Sequence, residues 1–166
     1  MIHRSRAGHF TAAFIASALI AGPALATPGS GFQPAPIVNG HFGNVDVKTE
    51  SDKVGKWGMI LKTKDDTDIG ADRLTVQPLG YSGWHSHPGP VFVTVTSGTV
   101  EWYDAALCTA HTYSAGQSYI EPAGSAHNVR NPSATATAEF VAIVIKPAGF
   151  VGLAFRIDAS EPNNCN

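Results

Sequence analysis

From about residue 44 the chain reads as short apolar runs separated by turn residues. The runs "NVDVKT", "WGMILKT", "DRLTVQP", "VFVTVT", "TVEWYD", "QSYIE", "HNVRN", "AEFVAIVIK" and "VGLAFRI" are rich in Val, Ile, Thr and aromatic residues. Such residues fit a pleated, half-buried surface, and Gly, Pro, Asn and Asp punctuate them. No segment repeats apolar residues at helical spacing over three turns, so the pattern predicts no long helix. Regular short strands with Gly/Pro turns predict an all-β closed barrel or jelly-roll sandwich in a single domain. Ahead of the strands, residues 27–43 begin "TPGSGFQPAPIVNG" and predict an extended N-terminal arm rather than a helix.

The first 26 residues have a different character. Arg4 and Arg6 form a positive start, "TAAFIASALIAG" is an apolar stretch too short to anchor in a bilayer, and "ALA" ends at Ala26. That order predicts a signal peptide over residues 1–26, cleavage before Thr27 and export to the periplasm or the medium. It leaves about 140 residues, enough for one domain with its own core. Without Arg4 and Arg6 the 11 Lys and Arg become 9 against 13 Asp and Glu, a formal charge of −4. A chain of that sign is a poor partner for nucleic acid or an anionic membrane, and no membrane anchor would survive cleavage. Exposed barrel edges favour a homodimer.

Cys108 and Cys165 are the two cysteines, both after the cleavage point. In an oxidising compartment such a pair predicts a disulfide that ties the tail, residues 158–166, back to a mid-chain loop. Asp65, Asp66 and Asp68 bunch before Gly70 but lack the ordered spacing and terminal Glu of a calcium loop, and read as a solvated hairpin turn. His41 and His111 stand alone in polar surroundings and receive no functional assignment.

The chemistry concentrates elsewhere. "GQSYIEPAGSAHNVRN", Gly116 to Asn131, fits G-x5-P-x-G-x2-H-x3-N at every fixed position. This resembles the second conserved motif of the cupin superfamily. "GYSGWHSHPGPVFVTVTSG", Gly80 to Gly98, is similar to the first, G-x5-H-x-H-x3,4-E-x6-G, with His85 and His87 as its histidine pair. Two departures stand out. Gly80 precedes His85 by one residue fewer than the motif has, and the glutamate position holds Val91 or Phe92. The resemblance implies a cupin jelly-roll barrel (a double-stranded β-helix) over residues 44–157, with His85, His87 and His127 as ligands of a divalent ion: Fe, Mn, Zn or Ni. Together with the C-terminal Cys, "GWHSHPGP" and "EPAGSAHNVRN" are similar to a group of small exported bacterial cupins.

Simple geometry agrees with that expectation. Side chains at i and i+2 of a strand share a face, so His85 and His87 can aim together into a barrel. The turn Pro122-Ala123-Gly124 then delivers His127 from a neighbouring strand. Three neutral imidazoles hold a divalent ion on one side and leave positions open to water or substrate. Without the motif's carboxylate the full positive charge would favour a small anionic ligand. Glu121 and Glu101 are the acids placed to substitute, and Glu121 is the candidate catalytic acid–base group. Tyr81, Trp84, Phe92, Trp102 and Tyr119 are candidate lining. Two functions fit these residues: a metal-dependent oxygenase, isomerase or lyase acting on a small molecule, and a non-catalytic cupin that holds a metal or small ligand.

Overall fold

The computed structural model describes residues 27–51, 55–163 and 165. The segment read as a signal peptide, 1–26, lies outside them. The described chain is β throughout, and its helical element is a single 3-10 turn, Leu153–Phe155. Twelve strands follow in order: β1 Ser30–Phe42, β2 Asp46–Ser51, β3 Trp57–Lys62, β4 Thr67–Tyr81, β5 His85–Ser86 and β6 Val91–Ser97, then β7 Thr99–Asp104, β8 Ala110–Ser114, β9 Ser118–Glu121, β10 His127–Arg130, β11 Ala138–Pro147 and β12 Ile157–Asp158. Ten of them form one antiparallel sheet with the path β12-β5-β10-β4-β11-β6-β9, β1 pairing with β4, and β7 bridging β10 and β8. The sheet curls into a nearly closed jelly-roll barrel. The hairpin β2–β3 stands apart as a second, two-stranded sheet.

Strand parity decides what fills the barrel. Along β6 the burial alternates strictly, with Val91, Val93 and Val95 inside and Phe92 and Thr94 outside. Register carries that parity across neighbouring strands. Leu74, Phe140 and Val95 make one inward row. Asp72, Ala142, Val93 and Tyr119 make the next, and Gly70, Val144, Val91 and Glu121 the one after. A final row pairs Asp68 with Lys146. The barrel is thus apolar at one end, where Val76, Val100 and Phe140 are sealed from water, and polar at the other. Fully burying each such aliphatic side chain contributes roughly 1.5–3 kcal/mol, so the fold rests on the apolar end. The polar end is left for chemistry.

Several elements differ from their sequence readings. The Pro- and Gly-rich segment before residue 43 is extended, and as β1 it pairs along nearly the whole of β4. β4 itself starts at Thr67, five residues before the run "DRLTVQP", because Asp68 points inward instead of lying in a solvated turn. There Asp68 accepts from Lys146 Nζ at 3.1 Å and from the Gly149 amide at 3.1 Å, while His41 Nδ1 lies 2.9 Å from its other oxygen. The His41 hydrogen bond, then Lys146, holds the Asp68 carboxyl well below the usual carboxylate range. β8 has no counterpart among the apolar runs because its residues are mostly exposed. "VGLAFRI" is not one strand: Ala154 and Phe155 adopt positive φ, and only Ile157 and Asp158 pair with β5. Val151 and Leu153 within it are exposed.

Cys108 and Cys165 are joined in a disulfide, with Cα atoms 5.0 Å apart. The bridge ties the tail to the loop between β7 and β8 and closes a 57-residue separation. In the chain-entropy model such a crosslink stabilises by at most about 4 kcal/mol. Cys165→Ser should therefore lower the denaturant midpoint while leaving metal content unchanged. An unaltered midpoint would show that the bridge restrains nothing in the unfolded chain.

Candidate metal centre

His85 opens β5, which lies between β10 and β12 in the sheet. It stands directly opposite His127 of β10, so the two rings share the inner face. His87, two residues on, completes the set. Ring centroids are 4.4 Å apart for His85–His127, 4.9 Å for His85–His87 and 5.2 Å for His87–His127. One nitrogen from each ring lies within 4.8 Å of the other two, a spacing that could hold a metal ion. All three residues are buried, His127 completely.

Local backbone fixes this arrangement. Gly83 has φ of +73°, a left-handed conformation that turns the chain into β5, and its own carbonyl faces His85. The Gly124 amide of the second motif donates to the His87 carbonyl of the first at 2.9 Å, which locks the two motifs together. Asn131, the last residue of motif two, is buried and architectural. Its amide donates to the carbonyls of Val76 at 3.0 Å and Ala136 at 2.8 Å, and its Oδ1 accepts from the Ser133 amide.

Each imidazole is oriented through Nδ1, which lies against a backbone carbonyl: Gly83 for His85 at 2.9 Å, Phe155 for His87 at 3.0 Å and Ser125 for His127 at 2.9 Å. A ring nitrogen facing a carbonyl must carry the proton, so in the neutral tautomer Nε2 presents its lone pair to the barrel interior. This backing through the remote nitrogen is the usual support of a metal-ligating histidine.

Glu121 ends β9 directly opposite Val91 of β6. Residue 91 is one of the two positions where the first motif would carry its acid. Directly opposed residues of an antiparallel pair share a face, so Glu121 delivers a carboxylate from the adjacent strand to the same place. Its oxygens lie 3.3 Å from His87 Nε2 and 3.3 Å from His127 Nε2. The other candidate, Glu101, lies on the outer side of β7, where it accepts from Tyr103 Oη at 2.7 Å. Phe92 is 43 % exposed and also faces outward.

Charge follows from this packing. Burial, then the neighbouring His127 and His87, push the His85 pKa well below the ordinary imidazole value, keeping its ring neutral. Burial opposes charge on His127 too, but the Glu121 carboxylate outweighs it and raises that pKa. Burial alone would raise the Glu121 pKa; the neighbouring His127 and His87 instead hold it well below the usual carboxylate range.

His85, His87 and Glu121 face a cavity with about 20 Å³ of free space, room for one or two waters. Its aromatic lining is Phe32, Phe140 and Phe155, and none of Tyr81, Trp84, Phe92, Trp102 or Tyr119 borders it. Trp102 instead backs His127, ring centroids 6.0 Å apart. Phe155 packs across Gly70, where a Cβ would lie 2.6 Å from its ring. Its position was hidden because the sequence pattern of the 3-10 segment imitates a strand.

Residues 72–144 match the family model Cupin_2, cupin domain. No curated protein matches the chain. Among solved structures, a conserved Streptococcus pyogenes protein of unknown function is 26% identical, covering 49% of this chain and 67% of that one with a TM-score of 0.42. A cupin domain from Bordetella pertussis Tohama I is 25% identical over 63% of this chain and 94% of its own, TM-score 0.41. An arginine-to-alanine mutant of Bacillus subtilis oxalate decarboxylase is 21% identical over 54% of this chain but only 23% of its own, TM-score 0.45. With both histidine motifs meeting inside a jelly-roll barrel and the family model spanning β4 to β11, residues 72–144 of the chain are a cupin domain.

Proposed function

We propose that this is an exported cupin that holds a divalent metal ion on His85, His87 and His127 and acts there on a small anionic molecule. One observation carries the reading. Two Glu121 oxygens face the Nε2 atoms of His87 and His127, whose Nδ1 atoms already carry protons. Carboxylate oxygens and imidazole lone pairs are all acceptors, so a proton or a metal ion must lie among them. His127 Nε2 is fully buried and has no hydrogen bond of good geometry, which favours the ion.

A divalent ion there would polarise a bound oxygen atom and lower its proton affinity. The chain's own residues do the rest. The three backbone carbonyls hold the rings in the ligating tautomer. Phe155 and the apolar rows exclude bulk water. Glu121 sits close enough to accept or return a proton at an oxygen bound beside His87 and His127. This is oxygenase, isomerase or lyase chemistry on a compact substrate. Purified protein should contain about one equivalent of Fe, Mn, Zn or Ni per chain. Glu121→Gln should abolish turnover in oxygen-uptake and carbonyl-substrate screens while keeping metal. Protein that takes up none of these metals sinks the reading.

The free space of about 20 Å³ favours a second reading, a non-catalytic cupin that simply retains a metal or very small ligand. Metal-loaded protein inert to every oxygen and carbonyl probe would select it. The disulfide is consistent with an oxidising compartment, and no helix of the described residues is long and apolar enough to cross a membrane. Export itself predicts Thr27 as the N-terminal residue of the secreted chain. Terminal sequencing that finds residues 1–26 retained would remove it.

A further inference from the structure

Asp72 is an inward-facing carboxyl in the middle of β4, 2% exposed, in a row otherwise made of Ala142, Val93 and Tyr119. It lines the same cavity as His85, His87 and Glu121. Its Oδ1 is buried without a hydrogen-bond partner. The same face of the same strand carries Leu74 and Val76, so an aliphatic residue would fit this row without the penalty of an unsatisfied oxygen. Burial alone acts on Asp72 and raises its pKa, no cation countering it. Across the cavity stand Glu121, His85 and His87, with Tyr119 in its own row. The one anion already there, Glu121, is the group opposed to two histidines.

We propose that Asp72 is a ligand-binding group of the cavity, an uncharged carboxylic acid that donates a hydrogen bond to an oxygen of a small ligand held at the three-histidine centre. The proposal rests on the metal reading above and adds the ligand class. The molecule is a small oxygen donor such as a short carboxylate, with one oxygen toward the histidines and another toward the Asp72 hydroxyl. A neutral acid suits an anion because it supplies a donor without adding a second negative charge beside Glu121.

The test uses zinc-loaded protein with formate as the probe. In wild type at neutral pH, infrared spectra should show the carbonyl band of a protonated carboxylic acid, absent from Asp72→Asn and displaced when formate is added. Asp72→Leu should weaken formate binding about tenfold or more, the loss expected for one hydrogen bond to a charged group. Asp72→Asn keeps a donor and should retain most of the affinity. Asp72→Leu should also be at least as stable as wild type, since it removes a buried orphan oxygen. Zinc content measured on the same samples separates the two ideas. Protein without zinc fails the metal reading. Zinc-loaded protein with no acid band, or with a band and affinity indifferent to formate and to Asp72→Leu, overturns the role of Asp72.

Discussion

His85→Ala, His87→Ala and His127→Ala should each strip the protein of most of the divalent ion proposed above while leaving the β-barrel folded. The loss should exceed the roughly 10–100-fold that removal of an outer supporting partner costs a metal site, because a ligand atom itself disappears. Retention of the fold follows from where the core lies. Val76, Val95 and Val100 belong to the buried core and do not border the histidine cavity. The three variants should not be equally stable. His127 is completely buried and packs against Trp102, so its truncation opens a cavity and should cost on the order of 2–3 kcal/mol. His111→Ala, on exposed β8, should change neither metal nor stability. Metal analysis with near-ultraviolet circular dichroism on the same samples checks all four. Full occupancy in any triad variant would mean that the ion binds elsewhere.

Much of this was legible in the chain. The i, i+2 spacing of His85 and His87 and the turn before His127 sufficed to bring three imidazoles together, because strand parity is local. Glu121 could be named but not oriented, since Pro88-Gly89-Pro90 breaks the parity count inside the first motif, just after its histidine pair. Register resolved it: Val91 and Glu121 are directly opposed, a relation between strands some thirty residues apart that no local pattern contains. Asp72 escaped notice for a related reason. Within "DRLTVQP" parity puts Asp72 on the face of Leu74 and Val76, but that this face borders the histidine cavity depends on long-range pairing of the strands. The backbone partners of the imidazoles were equally out of reach. The carbonyl of Phe155 reaches His87 across 68 residues, from a segment whose alternation suggested a strand.

Metal affinity should fall about tenfold per pH unit as the solution is made acid, and the decline should begin above the ordinary imidazole pKa. The proton that competes with the ion sits on His127. Burial depresses that group, but the Glu121 carboxylate outweighs burial and raises it above the ordinary imidazole value. Below the raised value His127 is protonated, and each bound ion must displace that proton, which gives the tenfold slope. His85 adds no second proton in this range because its pKa is pushed well down by burial and by the other two histidines. Glu121→Gln removes the group that raises His127 and leaves burial to dominate. The onset of metal loss should therefore move to lower pH in that variant. At alkaline pH, where His127 is neutral in both, it should bind more weakly for want of a nearby negative charge. The two affinity profiles should therefore converge as the pH falls, the variant's bend lying at the lower pH. Competition titrations of zinc against a chromophoric chelator across this range measure both curves, and parallel profiles would mean that Glu121 does not govern the proton on His127.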